Sequence, residues 1–381
     1  MQHASIDVVI VNYRDAADTL QALTRLTPWP LGTIWLVDNS AHETEVADGT
    51  AALEQAVLSL QEAQQRGDPK NADRPCVNLL TAGANLGFGR ACNLAFAQSS
   101  AEYLLLLNPD ARIATADVLK LARALSHQPR LAGVSPKIYW NAQRSFVLPA
   151  AFAQTPWYYV AQALATRSRW LAQWAALRGM KRSQRQMAGS KVFEVDFLAG
   201  SVLLLRRSAV LQAGGLFDPD YFMFYEDSDL SLRLRRAGYR LAIVPGAAAE
   251  HEYRHKAFKA ELMARSQLQY FSKQYPLFYR CSGGLGRVPQ LAGSVDLNTW
   301  FTVLAQPISS ADEFARQTGA AGVLAFSPTM LLMPSIFRPE RSGASRFDAQ
   351  EWDLLEPGPY TAVLVGAGPN QALTWVYFLK A

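Results

Sequence analysis

The order of apolar and polar positions divides most of the chain into alternating strands and helices. Residues 6 to 11, Ile-Asp-Val-Val-Ile-Val, form a β-branched run of the kind buried in a parallel sheet. Asp15 to Leu26 follows with Leu20, Leu23 and Leu26 on one side, the spacing of an amphipathic helix. Thr33–Val37, Val77–Thr81 and Tyr103–Leu107 repeat the strand pattern, and a helix through Gln98 follows the third of the four strands. The polar, Ala-rich stretch from His42 to Gly67 reads as helix, and residues 68 to 75 break it. Strand alternating with helix four times predicts an α/β fold, a mostly parallel sheet with helices on both faces. Ligands sit beyond the carboxyl ends of the strands in such sheets. Those ends carry Asn12-Tyr13, Asp38-Asn39, Asn85-Leu86-Gly87 and Asn108-Pro109-Asp110. The polar residues fall where a ligand site would be built.

Further along, Phe197–Leu205 reads as another strand and leads to the acidic run Phe222-Met-Phe-Tyr-Glu-Asp-Ser-Asp-Leu230. Three carboxylates directly after four bulky apolar or aromatic residues are costly unless paired, solvated or working. The run opens a helix-like segment, Leu230 to Ala237, that Gly238 can end. A carboxylate at a helix start in a partly dry pocket suits proton abstraction, or holding a cation or a hydroxyl. The plainer alternative is that Asp227 and Ser228 cap the helix and Asp229 complements its dipole. A strand, Leu241–Val244, then precedes Pro245-Gly246 and the cluster Glu250-His251-Glu252, and a helical stretch closes near Tyr279.

Residues 146 to 191 differ in character. Trp157, Tyr158, Tyr159, Trp170 and Trp174 are interleaved with or followed by Arg167, Arg169, Arg178, Lys181, Arg182, Arg185 and Lys191. That mixture suits the headgroup level of an anionic membrane or a lipid-linked phosphate. A packed helical insertion with a solvated basic face is the competing reading. The expected organisation is a catalytic domain over 1–280 with 146–191 inserted, a linker over 281–296, and a small β-rich domain over 297–381.

Composition narrows the classes. Half of the 381 residues are hydrophobic and 18% are charged, so the chain is globular rather than disordered. The net charge of +5 is too diffuse for a nucleic-acid protein but allows phosphates or an anionic surface. Three scattered cysteines, Cys76, Cys92 and Cys281, exclude a disulfide framework and fit a reducing compartment. With no secretory leader and no apolar window of about 18 residues, a cytoplasmic location is expected, touching a membrane without crossing it.

Read in order, the motifs resemble the family-2 inverting glycosyltransferases, in particular the rhamnosyltransferase-like subgroup. The matching residues are Val8-Val-Ile-Val-Asn-Tyr13, Val37-Asp-Asn-Ser40, Asn85-Leu-Gly-Phe-Gly89, Leu107-Asn-Pro-Asp110 and Ala199-Gly200. Gly214-Gly-Leu-Phe-Asp218, Phe224-Tyr-Glu-Asp-Ser-Asp-Leu230, Arg233-Leu-Arg-Arg-Ala-Gly238 and His251 continue the pattern. The resemblance implies a nucleotide-sugar-binding sheet of the GT-A type and a nucleoside-diphosphate-sugar donor, dTDP-rhamnose or a UDP-sugar. The acceptor it implies is a hydroxyl of a saccharide or lipid-linked saccharide, in cell-surface polysaccharide synthesis.

The same resemblance implies roles for particular residues. Val11 and Tyr13 would flank the nucleobase, and Asp38 would accept a hydrogen bond from its imide nitrogen unless it is only an Asx-turn with Ser40. Asn85, Gly87, Arg90, Asn108 and Gly200 would line the donor, Gly87 and Gly89 by letting backbone approach and Arg90 as a diphosphate partner, while Ala199-Gly200 would give the acceptor room. Asp110 would hold a divalent ion, Mg2+ or Mn2+, with His251 completing its shell unless that histidine is structural. Asn108 stands where the family places the first Asp of its D-x-D motif, which lowers the charge available to the ion. Asp227 would be the general base, and Glu226 would orient the acceptor or tune Asp227. Two alternatives stand beside this reading. A sugar nucleotidyltransferase would want a glycine-rich loop after the first strand, where Asn12-Tyr13-Arg14-Asp15 stands instead. A non-catalytic sugar-binding or scaffold protein would not need Asp110, Asp227 and His251 together.

Overall fold

The computed structural model describes residues 5–26, 29, 31–40, 51, 53–59, 76–150, 152–252, 259–332, 334–339, 345–366 and 372–381. Most of the helix expected over 42–67, and all of the break at 68–75, lie outside the described residues. The chain forms two compact units. The first comprises residues 1–137, 190–251 and 262–269, and the second 138–189, 252–261 and 270–381. The aromatic-basic segment thus groups with the C-terminal residues.

The first unit is built on strands β1 (Ile6–Asn12), β2 (Thr33–Asp38), β3 (Cys76–Thr81), β4 (Tyr103–Leu107), β5 (Ala111–Ile113), β6 (Leu131–Tyr139), β7 (Phe193–Val195), β8 (Val202–Arg206) and β9 (Arg240–His251). Their order across the sheet is β3-β2-β1-β4-β8-β6-β9-β5, with β7 pairing β9 off this path. The half that runs β3-β2-β1-β4 is parallel. Beyond β4 the ladders with β8, and of β9 with β5 and β7, are antiparallel. The α/β architecture read from the sequence is the one observed. β1 and β4 are buried along their whole length, as their apolar runs require. Asp7 is tolerated inside β1 because its two oxygens accept from Thr33 N at 2.8 Å and Trp35 Nε1 at 2.9 Å.

Two strand expectations change. The segment read as one strand over 197–205 is extended only from Val202, and Phe197–Ser201 leave the sheet as a loop. The apolar run persists there, but Leu198 N bonds Ser231 Oγ and Gly200 N bonds Asp227 Oδ2, so these amides serve a helix start instead of a ladder. Conversely, β9 continues through Pro245-Gly246 to His251. β9 pairs β7 over Leu241–Ile243 and β5 over Ala249–His251, so neither of those two ladders includes Pro245.

The second unit carries β10 (Thr302–Val303), β11 (Gly322–Ser327), β12 (Ile336–Phe337), β13 (Gly358–Val365) and β14 (Leu373–Lys380), ordered β10-β14-β13-β11-β12. The β-rich C-terminal part read from the sequence is present. Its core is aromatic, with Trp140, Phe146, Phe314, Phe326, Phe347, Trp352 and Phe378 buried together. Arg338 is buried among them, its guanidinium 4.0 Å from the Phe146 ring centroid and 3.2 Å from Glu351. It also donates to the carbonyls of Val323, Ser345 and Arg346. Glu351 meanwhile completes a capping box with Asp348 at the start of the helix Ala349–Asp353. One buried cation therefore ties three segments together through a single carboxylate. Replacing Glu351 with Ala leaves that cation without its counter-charge, and calorimetric melting should show a loss of about 3 kcal/mol or more in the unit's stability.

Candidate active site

The site begins where β1 and β2 end side by side. Asn12 and Asp38 are register partners, and both are buried. Asn12 Nδ2 donates to Asp38 Oδ1 at 3.1 Å, while Asn12 Oδ1 accepts from Thr19 Oγ1 at 3.0 Å. Ser40 N also donates to Asp38 Oδ1, at 3.0 Å, so the Asx-turn exists. It uses one carboxylate oxygen. The other, Oδ2, is buried and has no hydrogen-bond partner among the described residues. A buried acceptor left in that state is expensive unless a ligand supplies the donor. Val11 is buried beside it, and Tyr13 is exposed with Arg14 5.3 Å over its ring.

From Asp38 a hydrogen-bonded path runs through the next strand ends. Asn39 accepts from Leu86 N at 2.8 Å and donates to Asn85 Oδ1 at 3.1 Å. Asn85 Oδ1 also accepts from Gly87 N at 3.0 Å. Gly87 has φ +79°, and a Cβ there would lie 1.9 Å from the Phe222 carbonyl oxygen. That same oxygen accepts from Phe88 N at 3.1 Å, where the helix Phe88–Gln98 begins. A residue other than glycine cannot close this junction. Arg90, three residues on, is exposed and gives its Nε to the Pro219 carbonyl at 2.6 Å.

Phe222 leads into a strained turn. Phe224 and Tyr225 both have positive φ, +68° and +67°, which costs bulky side chains energy and persists only when neighbours hold it. The holders are identifiable. Ser266 Oγ donates to Met223 O at 2.7 Å, and Gln267 Nε2 to Tyr225 Oη at 2.8 Å. Asp229, fully buried, pairs with Arg233 at 2.6 Å, and Arg233 donates to the carbonyls of Ala213, Gly215 and Leu216. The turn therefore presents Glu226 and Asp227 as the first residues of the helix Glu226–Arg236.

The two carboxylates meet different surroundings. Glu226 is buried, and its Oε2 has no partner among the described residues. Burial, then the neighbouring Asp227, pushes its carboxyl up to about 8. Asp227 is half-buried, and its oxygens accept from Gly200 N at 3.3 Å and Ser228 N at 2.7 Å. Burial raises it to about 6, and those backbone donors limit the rise. Burial thus favours the protonated form of the inner carboxyl, while the amide donors at the outer one favour its ionised form.

Gly200 carries the path onward. Its neighbour Ser201 accepts from Asn108 N at 2.8 Å, at the turn Asn108-Pro109-Asp110. Asp110 Oδ1 lies 3.1 Å from His251 Nε2, because the β5–β9 register sets Ala111 opposite His251. Asp38, Asn85, Gly87, Gly200, Asp227, Asn108, Asp110 and His251 therefore lie along a series of hydrogen bonds joined by short stretches of chain. Sequence reasoning placed Asn12 and Asn39 among the polar strand ends where a ligand site would be built but gave neither a role of its own. Nor could it find Phe224 and Tyr225 as strained, since aromatic residues carry no mark of positive φ.

A model of the family described as "Glycosyltransferase like family 2" matches residues 135–268. The chain is 32% identical over 219 residues to an N-acetylglucosaminyl-diphospho-decaprenol L-rhamnosyltransferase of Mycobacterium tuberculosis, covering 52% of this chain and 67% of the relative. It is 41% identical over 87 residues to the rhamnosyltransferase WbbL of Escherichia coli K12, covering 21% of this chain and 32% of the relative. Among solved structures, GalNAc-T7 with UDP, GalNAc and Mn2+ matches at TM-score 0.49 and 13% identity, over 76% of this chain and 54% of that one. The mannosyltransferase PcManGT of Pyrobaculum calidifontis, with GDP-Man and Mn2+, matches at 0.45 and 13%, over 77% of each chain.

The raised Glu226 carboxyl makes a signed prediction. A buried acid whose folded pKa exceeds its unfolded value destabilises the fold as pH climbs through that interval. The uncharged Glu226→Gln variant should therefore melt above wild type near pH 8.5, with the gap shrinking as pH falls to about 5. A gap that is constant with pH, in melts followed by circular dichroism, would contradict the protonated state assigned here.

Proposed function

The chain belongs to the family-2 glycosyltransferases, and on that premise we propose that it inverts a sugar's anomeric centre as it moves the sugar from a nucleoside diphosphate to an acceptor hydroxyl. The observation that carries this reading is the continuous path of contacts from the unpaired Asp38 oxygen to the ionised Asp227 carboxylate. In it, Asp38 Oδ2 accepts the imide N–H of uracil or thymine, with Val11 and Tyr13 flanking the base. Asn85, the Gly87 backbone, Asn108 and Gly200 line the donor beyond it. Arg90 supports the diphosphate with the guanidinium nitrogens that Pro219 does not take.

Asp227 removes the acceptor hydroxyl's proton as that oxygen attacks the anomeric carbon, opposite the departing diphosphate. Its raised carboxyl remains ionised at neutral pH yet basic enough to accept the proton. Glu226, protonated beside it, positions the acceptor as a hydrogen-bond donor. A divalent cation, Mg2+ or Mn2+, fits Asp110 and His251, which offer one hard oxygen and one imidazole. The described residues contain no cluster of three or more His, Cys, Asp or Glu, so diphosphate oxygens would complete such a shell. When bound, the ion neutralises charge on the leaving diphosphate.

The mycobacterial relative acts, by its name, on a sugar carried by a polyprenyl diphosphate. We extend that to this chain: dTDP-rhamnose or a UDP-sugar as donor, a lipid-linked saccharide as acceptor, and the cytoplasm, where such donors are made, as location. The catalytic domain we assign is the unit of β1–β9, with the β-rich unit serving another purpose.

Titration calorimetry with UDP, dTDP and GDP, with and without Mn2+, tests the donor site directly. One pyrimidine nucleotide should bind, more tightly with metal, and Asp110→Ala should remove the metal's effect. Asp227→Asn should bind that nucleotide as wild type does while transfer falls by about 10³-fold or more. Transfer by Asp227→Asn at the wild-type rate would overturn the assignment of the base.

A further inference from the structure

The second unit carries a surface that the transfer chemistry does not use. Its helices Pro156–Ala165 and Arg169–Ala188 begin with side-chain caps from Thr155 and Ser168. The longer helix buries a narrow face of Ala172, Ala176, Met180 and Met187. On the opposite face, Trp170, Trp174, Arg178, Lys181 and Arg185 follow at helical spacing and are all exposed. Trp170 is 70% exposed and Trp174 49%, and Arg178 lies over the Trp174 ring at 5.2 Å. In the shorter helix, Trp157 is 76% exposed, with Leu164 exposed two turns further on the same side.

We propose that this aromatic-basic face docks on the surface of a bilayer carrying anionic phospholipids. The tryptophans would sit at headgroup level and the cations against lipid phosphates. Three observations favour that occupant. A solvated basic face explains the cations but leaves three exposed indoles unexplained, since large rings are rarely spent on water. Indole is the side chain that a headgroup region accepts best, with an apolar body and a polar N–H. The charge is one-signed: no Asp or Glu occurs between Asp117 and Glu194, and residues 146–191 alone hold seven cations. A second copy of this chain would set cation against cation there, which disfavours a self-contact. No described helix is long and apolar enough to cross a membrane, so the contact is peripheral.

The test uses the full chain and sedimentation with vesicles of phosphatidylcholine alone or with about a third phosphatidylglycerol. Binding should be at least about tenfold tighter to the anionic vesicles, weaken with added salt, and blue-shift the tryptophan emission. Replacing Trp157, Trp170 and Trp174 together with Ala should weaken binding about tenfold or more at an unchanged melting temperature. Lys181→Gln with Arg182→Gln and Arg185→Gln should instead abolish the preference for anionic lipid. Should the triple tryptophan variant not fold, Trp157→Ala alone, at the most exposed ring, should still weaken binding several-fold. Absence of vesicle binding, equal binding to both compositions, or variants that bind as wild type would overturn the proposal. So would a wild-type dimer in solution that the tryptophan variant loses, which would make the face a self-contact.

Discussion

The contact on which the first unit depends is the one between Gly87 and the Phe222 carbonyl. Two segments separated by more than a hundred residues meet there with no room for a methyl group. One carries the strand-end residues Asn39, Asn85 and Gly87, and the other carries the strained turn that aims Glu226 and Asp227. Shift this junction and the carboxylates lose their relation to Asp38 without any change in their own chemistry. The energetic cost of two consecutive positive-φ aromatics is offset nearby, by the buried Asp229–Arg233 pair and the carbonyls that Arg233 gathers.

Electrostatics follows from that placement. Glu226 faces inward and one of its oxygens lacks a partner among the described residues, so desolvation favours its protonated form. Asp227 is one residue further round the helix and receives amide hydrogens from Gly200 and Ser228, which favour its ionised form. Two adjacent carboxyls at one helix start, one desolvated and one receiving amide hydrogens, is the arrangement that the proposed roles of hydrogen-bond donor and base require. The loop Phe197–Ser201 gives up its place in the sheet to provide one of those amides.

Much of this was legible before any coordinates. β1, β2, β3 and β4 fall within a residue of the runs that predicted them, because parallel strands inside a sheet leave short, mostly apolar runs bounded by polar residues. The polar strand ends at Asp38, Asn85 and Asp110 were legible for the same reason, standing out against apolar runs. The Phe197–Leu205 segment was not, since its apolar character is shared by a buried loop and a strand. The turn at Phe224-Tyr225 was invisible too, because its conformation is imposed by partners distant in sequence, Gly87, Ser266 and Gln267. In the second unit, the aromatic-basic pattern announced itself in composition, but only the helical geometry separates its buried alanine-methionine face from its exposed tryptophan-cation face.

On the function proposed, the Gly87–Phe222 junction joins nucleotide recognition and the carboxylate turn into one site. Calorimetric titration of the preferred nucleoside diphosphate into wild type and Gly87→Ala, each verified as folded by circular dichroism, addresses it most directly. The added methyl group should weaken nucleotide binding by about tenfold or more, because neither segment can yield without disturbing the other. Equal affinity in a folded Gly87→Ala protein would contradict it, showing that the two segments act independently.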